Sequence, residues 1–487
     1  MPWAAALAAL TLLRLLLAAT TPLAPDEAYY WVWSHALAPG YPDHPPMVAL
    51  WIRFGTLLAG DGALGVRLLG PLSVAAASWL LVDAGNRLLP GQRGGLRAAA
   101  LLNATLLFGI GAVVMTPDTP LLFFWTCCLW ALARLLHSGN SWWWLAIGLF
   151  AGLAMDSKYT AALLWFGIGV WLLATPSLRF WLKRPAPWFG ALLGVAVFAP
   201  VLLWDAAHGW TSFIRQGGRI DAWQPANAAR FLAELIAGQF GMVTPLVFLL
   251  CIAGVVMAVR QTWRTRDAAW SLLTALTFPA AVLFVQHAVG DRVQDNWPAI
   301  IYPAAAVAAA GLSAPGWRRL HGPAVALGLA ITLLVYGQAT LGLLPVPARV
   351  VDPIALRLAG WRTLAADVNA ARQQSGASFV AVDQYATAAK LARELPAGVP
   401  VVGIDPRWSL FELPTASVVG QVGILVRSDR LDGDADRTVW SSVTEIGKAE
   451  RTHGAVVVET FWLYRVVAIA ESRQAVLLPS FEHDQTD

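Results

Sequence analysis

The chain of 487 residues is strongly apolar, with 57% hydrophobic and 13% charged residues and a mean hydropathy of +0.57. Since a soluble domain carries roughly 25% charged residues, this composition excludes an ordinary soluble protein and indicates a chain that crosses a membrane several times. The formal net charge of +4 comes from basic residues that are dispersed among short loops, which does not favour a nucleic-acid partner.

Apolar runs of roughly bilayer-spanning length follow one another from the N-terminus to residue 345. The first run is also typical of a signal peptide, but Arg14 within it and the runs that follow favour an uncleaved first helix. The pattern predicts about 11 transmembrane helices, near residues 3–22, 63–82, 98–115, 119–136, 142–156, 159–176, 187–204, 239–259, 269–289, 297–313 and 323–345.

The charges of the loops predict the orientation of these helices. If the N-terminus is cytoplasmic, the inner loops carry most of the basic residues, including Arg87, Arg184 and Arg264, and the outer loops carry most of the carboxylates. This asymmetry is the positive-inside pattern. We therefore predict a multi-pass protein of the bacterial inner membrane, with the chain beyond residue 345 in the periplasm.

The tail has a different pattern and predicts a small α/β domain. The segment "WRTLAADVNAARQQSG" is typical of an amphipathic helix that ends at a glycine, and "SFVAVD", "VPVVGI", "VGILVRS" and "GAVVVET" are typical of short strands. The predicted fold is thus a polytopic α-helical membrane protein with a C-terminal periplasmic α/β domain. We divide it into a transmembrane domain with an outer-loop active site, residues 1–345, and the periplasmic domain, residues 346–487.

The first outer loop, "PDEAYYWVWSHALAPGYPDHPP", places Asp26 and Glu27 where the first helix leaves the hydrocarbon. Ionisable groups at that depth are costly, and they usually face a cavity. Tyr29 and Tyr30 follow directly, and they either stack on a sugar ring or anchor the chain at the interface.

Two further outer loops carry candidate site residues. In "TPDTPLLFFW", Asp118 lies between Pro117 and Pro120 and is either the N-cap of the next helix or an active-site carboxylate. In "DSKYTAALL", Lys158 either extends toward the interface or binds an anionic head group. Carboxylates and cations on one face suit transfer from a phosphate leaving group, because a carboxylate can take the acceptor proton and cations can hold the phosphate.

Four segments carry a resemblance: "PDEAYYWVWSHALAPGYPDHPPMVALW", "TPDTPLLFFW", "SKYTAALL" and "DNWPA", in that order between residues 20 and 305. The chain resembles the bacterial membrane glycosyltransferases that are related to protein O-mannosyltransferases and to lipid A aminoarabinose transferase. The resemblance implies the GT-C fold and a polyprenyl-phosphate-linked sugar donor. It also implies that Asp26 is catalytic, with Glu27 beside it and Asp118 as the second carboxylate.

The resemblance implies a phosphate-binding residue ahead of the Pro-Pro pair, where many relatives have lysine and this chain has His44. A neutral imidazole holds phosphate less well than an ammonium group. We therefore also expect Lys158, Arg219 and Arg292 as candidates for binding the donor phosphate. The remaining candidate substrate-binding residues are Tyr29, Tyr30, Asp43, Tyr159, Asn296 and Trp297.

We predict an inverting glycosyl transfer from a polyprenyl-phosphate sugar to an envelope acceptor, which is lipid A or its core sugars, a wall polymer or a protein. The alternative is a transporter or flippase of a lipid-linked sugar, which usually buries ionisable residues in the middle of its spans; apart from Arg14 and Arg67, the mid-span positions here are nearly free of ionisable residues. No cofactor is predicted, and no ligand spacing indicates a metal, although Asp43, His44 and Glu27 are the candidate ligands of a divalent ion.

Overall fold

The structure, a computed structural model, describes residues 2–90, 94–217, 223–344, 352–431, 439–454, 456–469 and 475–481. The described part of the chain is helical as far as Leu341 and mixed beyond it. The helices are α1 (Pro2–Thr20), α2 (Pro25–His35), α3 (Met47–Ala59), α4 (Ala63–Arg67), α5 (Leu69–Leu88), α6 (Gly94–Asn103), α7 (Leu106–Val113), α8 (Asp118–Ser138), α9 (Trp143–Met155), α10 (Ala162–Ala174), α11 (Pro185–Ala207), α12 (Thr211–Gly217), α13 (Ala228–Met242), α14 (Pro245–Thr265), α15 (Ala268–Ala275), α16 (Phe278–His287), α17 (Tyr302–Ala310), α18 (Pro315–Leu341), α19 (Pro353–Leu358), α20 (Trp361–Gln374) and α21 (Tyr385–Glu394), with 3-10 helices at Tyr159–Ala161, Pro176–Lys183, Pro225–Asn227, Trp297–Ile301 and Pro406–Leu410.

Within the described residues, seven helices are long and apolar enough to cross a membrane, or nine if two bent helix pairs each count as one span. Each of the 11 predicted runs overlaps one of these nine or a shorter apolar helix, Trp143–Met155 or Trp297–Ala310. A helix of 13 residues is about 20 Å long, less than the ~30 Å of a bilayer core, so the number of spans stays a prediction. The seven long helices are Pro2–Thr20, Ala63–Leu88, Asp118–Ser138, Pro185–Ala207, Pro245–Thr265, Ala268–His287 and Pro315–Leu341.

The chain divides into two compact units, which we call the first and the second unit. The first unit comprises Met1–Ala18, Pro42–Trp51 and Arg67–Tyr336, and the second comprises Ala19–Tyr41, Ile52–Val66 and Gly337–Asp487. The predicted domain boundary at residue 345 lies outside the described residues, and the division into residues 1–345 and 346–487 stays a prediction.

In the first unit, α9 and α11 pack closely because glycines face each other. A Cβ atom added to Gly148 would lie 1.9 Å from the carbonyl oxygen of Gly190, and one added to Gly152 would lie 2.8 Å from that of Gly194. Spacing of small residues by four lets two membrane helices approach backbone to backbone, which increases their van der Waals contact.

The two mid-span arginines predicted from the sequence, Arg14 and Arg67, have polar partners in the first unit. Arg14 is buried, and its Nη1 donates to Oδ1 of Asn103 at 2.9 Å, while Nδ2 of Asn103 donates to Oγ of Ser78 at 2.7 Å. Asn103 ends α6, where the chain bends by 65° into α7. The buried Arg67 donates from Nη1 to the carbonyl of Ala18 at 3.3 Å. These contacts give both arginines a structural role.

The second unit contains a six-stranded sheet with the order β4-β5-β3-β1-β2-β6. β1 pairs in parallel with β2 and β3, and the other neighbours are antiparallel. The predicted amphipathic helix and strands are confirmed as α20, β1, β2, β3 and β5, while the sequence did not indicate β4, whose side chains are mostly exposed and polar. The strands are β1 (Phe379–Val382), β2 (Val401–Gly403), β3 (Val422–Ser428), β4 (Trp440–His453), β5 (Val456–Ala468) and β6 (Val476–Leu477).

Candidate active site

Asp118 is the centre of a hydrogen-bonded cluster in the first unit. Nζ of Lys158 lies 2.8 Å from Oδ1 and 3.0 Å from Oδ2 of Asp118, and Nδ2 of Asn296 donates to Oδ2 at 2.6 Å. Lys158 itself is buried. Three of the four segments that carry the family resemblance therefore meet at one carboxylate, although Asp118 and Asn296 are 178 residues apart in sequence.

Local structure explains why these three side chains can meet. Asp118 is the first residue of α8, after Pro117, while Lys158 has extended backbone between α9 and a 3-10 helix. Asn296 immediately precedes the 3-10 helix Trp297–Ile301, whose second residue is Pro298. Each residue thus lies where a helix begins. Its side chain therefore does not project from the middle of a helix and can turn toward the other two.

The cluster changes the interpretation of Lys158 and Asp118. The carboxylate of Asp118 bonds to the lysine and the asparagine, and no side-chain cap bond is formed at the start of α8. Lys158 is engaged by Asp118, so a donor phosphate would have to compete with a carboxylate for this ammonium group. A phosphate-binding role for Lys158 stays a prediction.

Asp43 and His44 occupy the loop that precedes α3, in the first unit. Oδ1 of Asp43 accepts a hydrogen bond from Nη1 of Arg215 at 3.0 Å, and the Asp43 carbonyl accepts one from Nε2 of Gln216 at 2.6 Å. This pairing ties a cation from α12 to the residue beside His44. The sequence did not single out Arg215 from the other arginines of the outer loops, and the predicted Arg219 lies outside the described residues.

Tyr159 and Arg292 have other protein partners in the first unit. The hydroxyl of Tyr159 pairs with that of Ser212, which donates to the fully buried Asp205 at 2.6 Å. Arg292 is exposed, and its Nε lies 3.3 Å from Oε2 of Glu234. Substrate contacts for Tyr159 and Arg292 stay predictions.

Trp297 follows Asn296 directly and packs beside a histidine. Its ring centroid lies 5.6 Å from that of His287, so the indole has an aromatic neighbour at the start of its 3-10 helix. A role of Trp297 in substrate binding stays a prediction.

Asp26 and Glu27 belong to the first turn of α2, in the second unit, and their environments differ. Glu27 is fully buried, and its Oε2 accepts a hydrogen bond from the backbone N–H of Ala24 at 2.9 Å, which is a helix-capping contact. The Asp26 side chain is 44% exposed, and its Oδ2 lies 3.2 Å from Nη1 of Arg357. Asp26 is therefore the accessible carboxylate of this pair, and Glu27 stabilises the start of the helix that carries it.

Tyr29 and Tyr30 are buried against protein in the second unit. The Tyr29 ring centroid lies 4.4 Å from that of Tyr385 and 5.5 Å from that of Trp408. The ring of Tyr30 meets that of Trp33 edge-on at 5.0 Å. These contacts hold α2 against the tail of the chain, while sugar binding by the two tyrosines stays a prediction.

Metal ligation is not indicated by the described side chains. In the ranges that the structure describes, no three His, Cys, Asp or Glu side chains approach closely enough to hold one ion. A divalent ion held by Asp43, His44 or Glu27 stays a prediction.

Comparisons with known proteins identify the class of this fold. The chain has the fold of ArnT from Cupriavidus metallidurans, with a TM-score of 0.61 at 16% identity over 95% of this chain and 98% of that one. ArnT has been solved both without ligand and bound to undecaprenyl phosphate. The fold is thus of the GT-C type, and the protein is a multi-pass membrane protein, as the sequence predicts.

Two sequence comparisons also relate the chain to glycosyltransferases. Residues 43–204 match the family described as dolichyl-phosphate-mannose-protein mannosyltransferase. The chain is 28% identical over 470 residues to the lipid A galacturonosyltransferase RgtD of Rhizobium johnstonii, a match that covers 91% of this chain and 93% of that protein. The protein is therefore related to membrane glycosyltransferases, which confirms the resemblance seen in its motifs.

Proposed function

We propose that the protein is an inverting glycosyltransferase that moves a sugar from a polyprenyl-phosphate carrier to lipid A. One observation carries the proposal: residues from three separate segments of the family resemblance form a single hydrogen-bonded cluster, Asp118 with the buried Lys158 and with Asn296. The name of RgtD supports lipid A as the acceptor and galacturonic acid as the sugar. A carrier of the undecaprenyl-phosphate kind agrees with the lipid bound to ArnT.

In the proposed reaction, an acceptor hydroxyl oxygen attacks the anomeric carbon of the donor sugar. The bond from that carbon to the phosphate oxygen breaks, polyprenyl phosphate leaves, and the anomeric configuration inverts. We assign the hydroxyl proton to Asp26, because its carboxylate is accessible whereas Glu27 is buried in a capping contact. General-base catalysis of this kind contributes about 10²- to 10⁴-fold in rate.

The phosphate needs cationic or hydrogen-bond donors as its negative charge develops. We assign this role to His44 and Arg215, since Asp43 places the guanidinium of Arg215 next to the loop that carries His44. In this scheme Lys158 holds the Asp118 carboxylate in place in the first unit.

We further propose that the protein lies in the bacterial inner membrane with a cytoplasmic N-terminus, so that transfer occurs at the periplasmic face. The excess of basic residues in alternate loops supports this orientation. Reporter fusions after residue 358 are expected to be active with a periplasmic reporter and silent with a cytoplasmic one. The opposite pattern would reject the orientation.

Reconstitution in liposomes tests the function against the alternative of a flippase. Purified protein receives a polyprenyl-phosphate sugar labelled in the sugar, with lipid A present, and both labelled lipid A and donor movement between leaflets are measured. We expect label on lipid A, with galacturonic acid transferred faster than mannose or aminoarabinose. Movement of the donor between leaflets without any labelled lipid A would instead establish a flippase.

A further inference from the structure

The tail of the chain contributes a cation beside Asp26 in the second unit. Arg357, on the short helix α19, places Nη1 3.2 Å from Oδ2 of Asp26, and the two side chains are 66% and 44% exposed. An ion pair this exposed contributes little to stability. A contribution to stability therefore does not explain why the guanidinium of Arg357 lies beside Asp26, the accessible carboxylate of α2.

Two side chains form hydrogen bonds with the backbone of α19, the helix that carries Arg357. Oδ1 of Asp352 accepts from the backbone N–H of Ile354 at 2.8 Å and caps the start of α19. Arg451, which is buried, donates from Nη2 to the carbonyl of Leu356 at 2.9 Å. The helix is thus fixed by buried contacts, while the side chain of Arg357 remains accessible.

The helix that carries Asp26 is held by the same unit. Besides the contact of Tyr29 with Tyr385, the guanidinium of Arg393 lies 4.5 Å from the ring centroid of Trp31. Arg393 also donates from Nη2 to the backbone carbonyl of Asp61 at 3.0 Å. Since α2 and α19 both pack within the second unit, the fold sets the separation of Asp26 and Arg357.

A guanidinium presents five N–H donors in a planar fork that matches the two oxygens of a carboxylate or phosphate. Among the described residues, Asp26 accepts one of these bonds, and the exposure of Arg357 leaves the rest of the fork accessible. Charge-assisted bonds to an incoming anion are stronger than those between neutral groups. An anion that binds this fork would lie directly beside Asp26.

We propose that Arg357 binds an anionic group of the lipid-linked sugar donor, either its phosphate or a carboxylate on the sugar, and so places the donor next to Asp26. This inference rests on the proposed function, because it assumes that the donor is the ligand at Asp26. It assigns a donor-binding residue to the tail, where the sequence carries no motif that points to one.

The test uses the full-length protein with Arg357→Gln and Arg357→Lys, and with Arg362→Gln as a matched control, since the Arg362 side chain is 92% exposed in the same unit. Initial rates are measured with two donors that share one polyprenyl phosphate and carry galacturonic acid or galactose. Loss of a charge-assisted bond typically lowers affinity about 10- to 100-fold. We expect Arg357→Gln to raise KM by that factor, Arg357→Lys to recover part of it, and Arg362→Gln to match the unsubstituted protein.

The two donors distinguish the two anionic groups. A KM increase for both donors identifies the phosphate as the ligand, and an increase for the galacturonic acid donor alone identifies the carboxylate. An unchanged KM for both donors in Arg357→Gln would overturn the proposal. So would a KM increase accompanied by a lower unfolding temperature, because that result indicates a structural role.

Direct donor binding separates this inference from the proposed function. If the unsubstituted protein transfers no sugar, the proposed function fails, and the dissociation constant of each donor is then measured by intrinsic tryptophan fluorescence. Weaker donor binding by Arg357→Gln than by Arg362→Gln would still support a donor site at Arg357, and equal binding would reject it.

Discussion

Lys158 and Asp118 form a two-point ion pair, in which Nζ lies 2.8 Å from one carboxylate oxygen and 3.0 Å from the other. Only 9% of the lysine side chain and 13% of the aspartate side chain are exposed. In such an environment each charge depends on its partner, because water no longer solvates it fully.

Replacing the lysine alone is therefore expected to destabilise the protein. Lys158→Met leaves the Asp118 carboxylate without its cation and should lower the free energy of unfolding by about 3 kcal/mol. The double variant Lys158→Met with Asp118→Asn leaves neither charge unpaired and should recover most of that loss. Thermal unfolding in detergent measures both effects, and a single variant as stable as the unsubstituted protein would contradict a structural role for the pair.

The same two variants separate stability from function. We expect the double variant to fold but to lose most sugar transfer, because the Asp118 cluster belongs to the proposed site. Full activity in a well-folded double variant would remove the cluster from the site.

The sequence predicted that Asp118, Lys158 and Asn296 belong to one site, but it did not predict how they are connected. Their order and their outer-loop positions were readable from the motifs, because helix length and loop charge fix the face of the membrane. The bonds join residues that are 40 and 178 positions apart. Which side chains bond to Asp118 depends on how the helices pack, and the spacing of residues along the chain carries no information about helix packing.

Glu27 is expected to act through the fold of α2. Glu27→Ala removes the acceptor of the Ala24 N–H bond and should cost about 1 kcal/mol of stability, as the loss of other helix caps does. Glu27→Gln retains an acceptor oxygen and should unfold near the temperature of the unsubstituted protein with comparable transfer. Loss of transfer by Glu27→Gln at unchanged stability would show that the charge itself takes part in catalysis.

The contact of α9 with α11 predicts a steric effect of a single methyl group. Gly148→Ala places a Cβ against the backbone of Gly190 and should destabilise the protein by about 1–3 kcal/mol, as overpacking does. Gly169→Ala is the matched control, because a Cβ there meets no atom within 4 Å among the described residues. Equal unfolding temperatures for the two variants would contradict the close packing of these helices.

The tail is the part of the chain whose contacts the sequence pattern indicates least. Four of the strands (β1, β2, β3 and β5) and α20 were predicted from β-branched runs and amphipathic periodicity, but Arg357 follows no recognisable motif and lies 331 positions from Asp26. Similarly, the sequence placed Tyr29 at a sugar or at the membrane interface and did not indicate that its ring also packs on Tyr385. An aromatic side chain has the same sequence signature in each of these environments, and only the fold distinguishes them.

The most direct test of the account is sugar transfer by Asp26→Asn, with Asp429→Asn as a control at an exposed carboxylate of the same unit. Asparagine keeps the size of aspartate but cannot take the acceptor proton. Because Asp26 and Arg357 are both exposed, the substitution leaves no buried charge without a partner. With a polyprenyl-phosphate sugar and lipid A, we predict that Asp26→Asn loses about 10²- to 10⁴-fold in rate at an unchanged unfolding temperature, while Asp429→Asn retains full activity. Transfer by Asp26→Asn at the rate of the unsubstituted protein would contradict the assignment of Asp26 as the base.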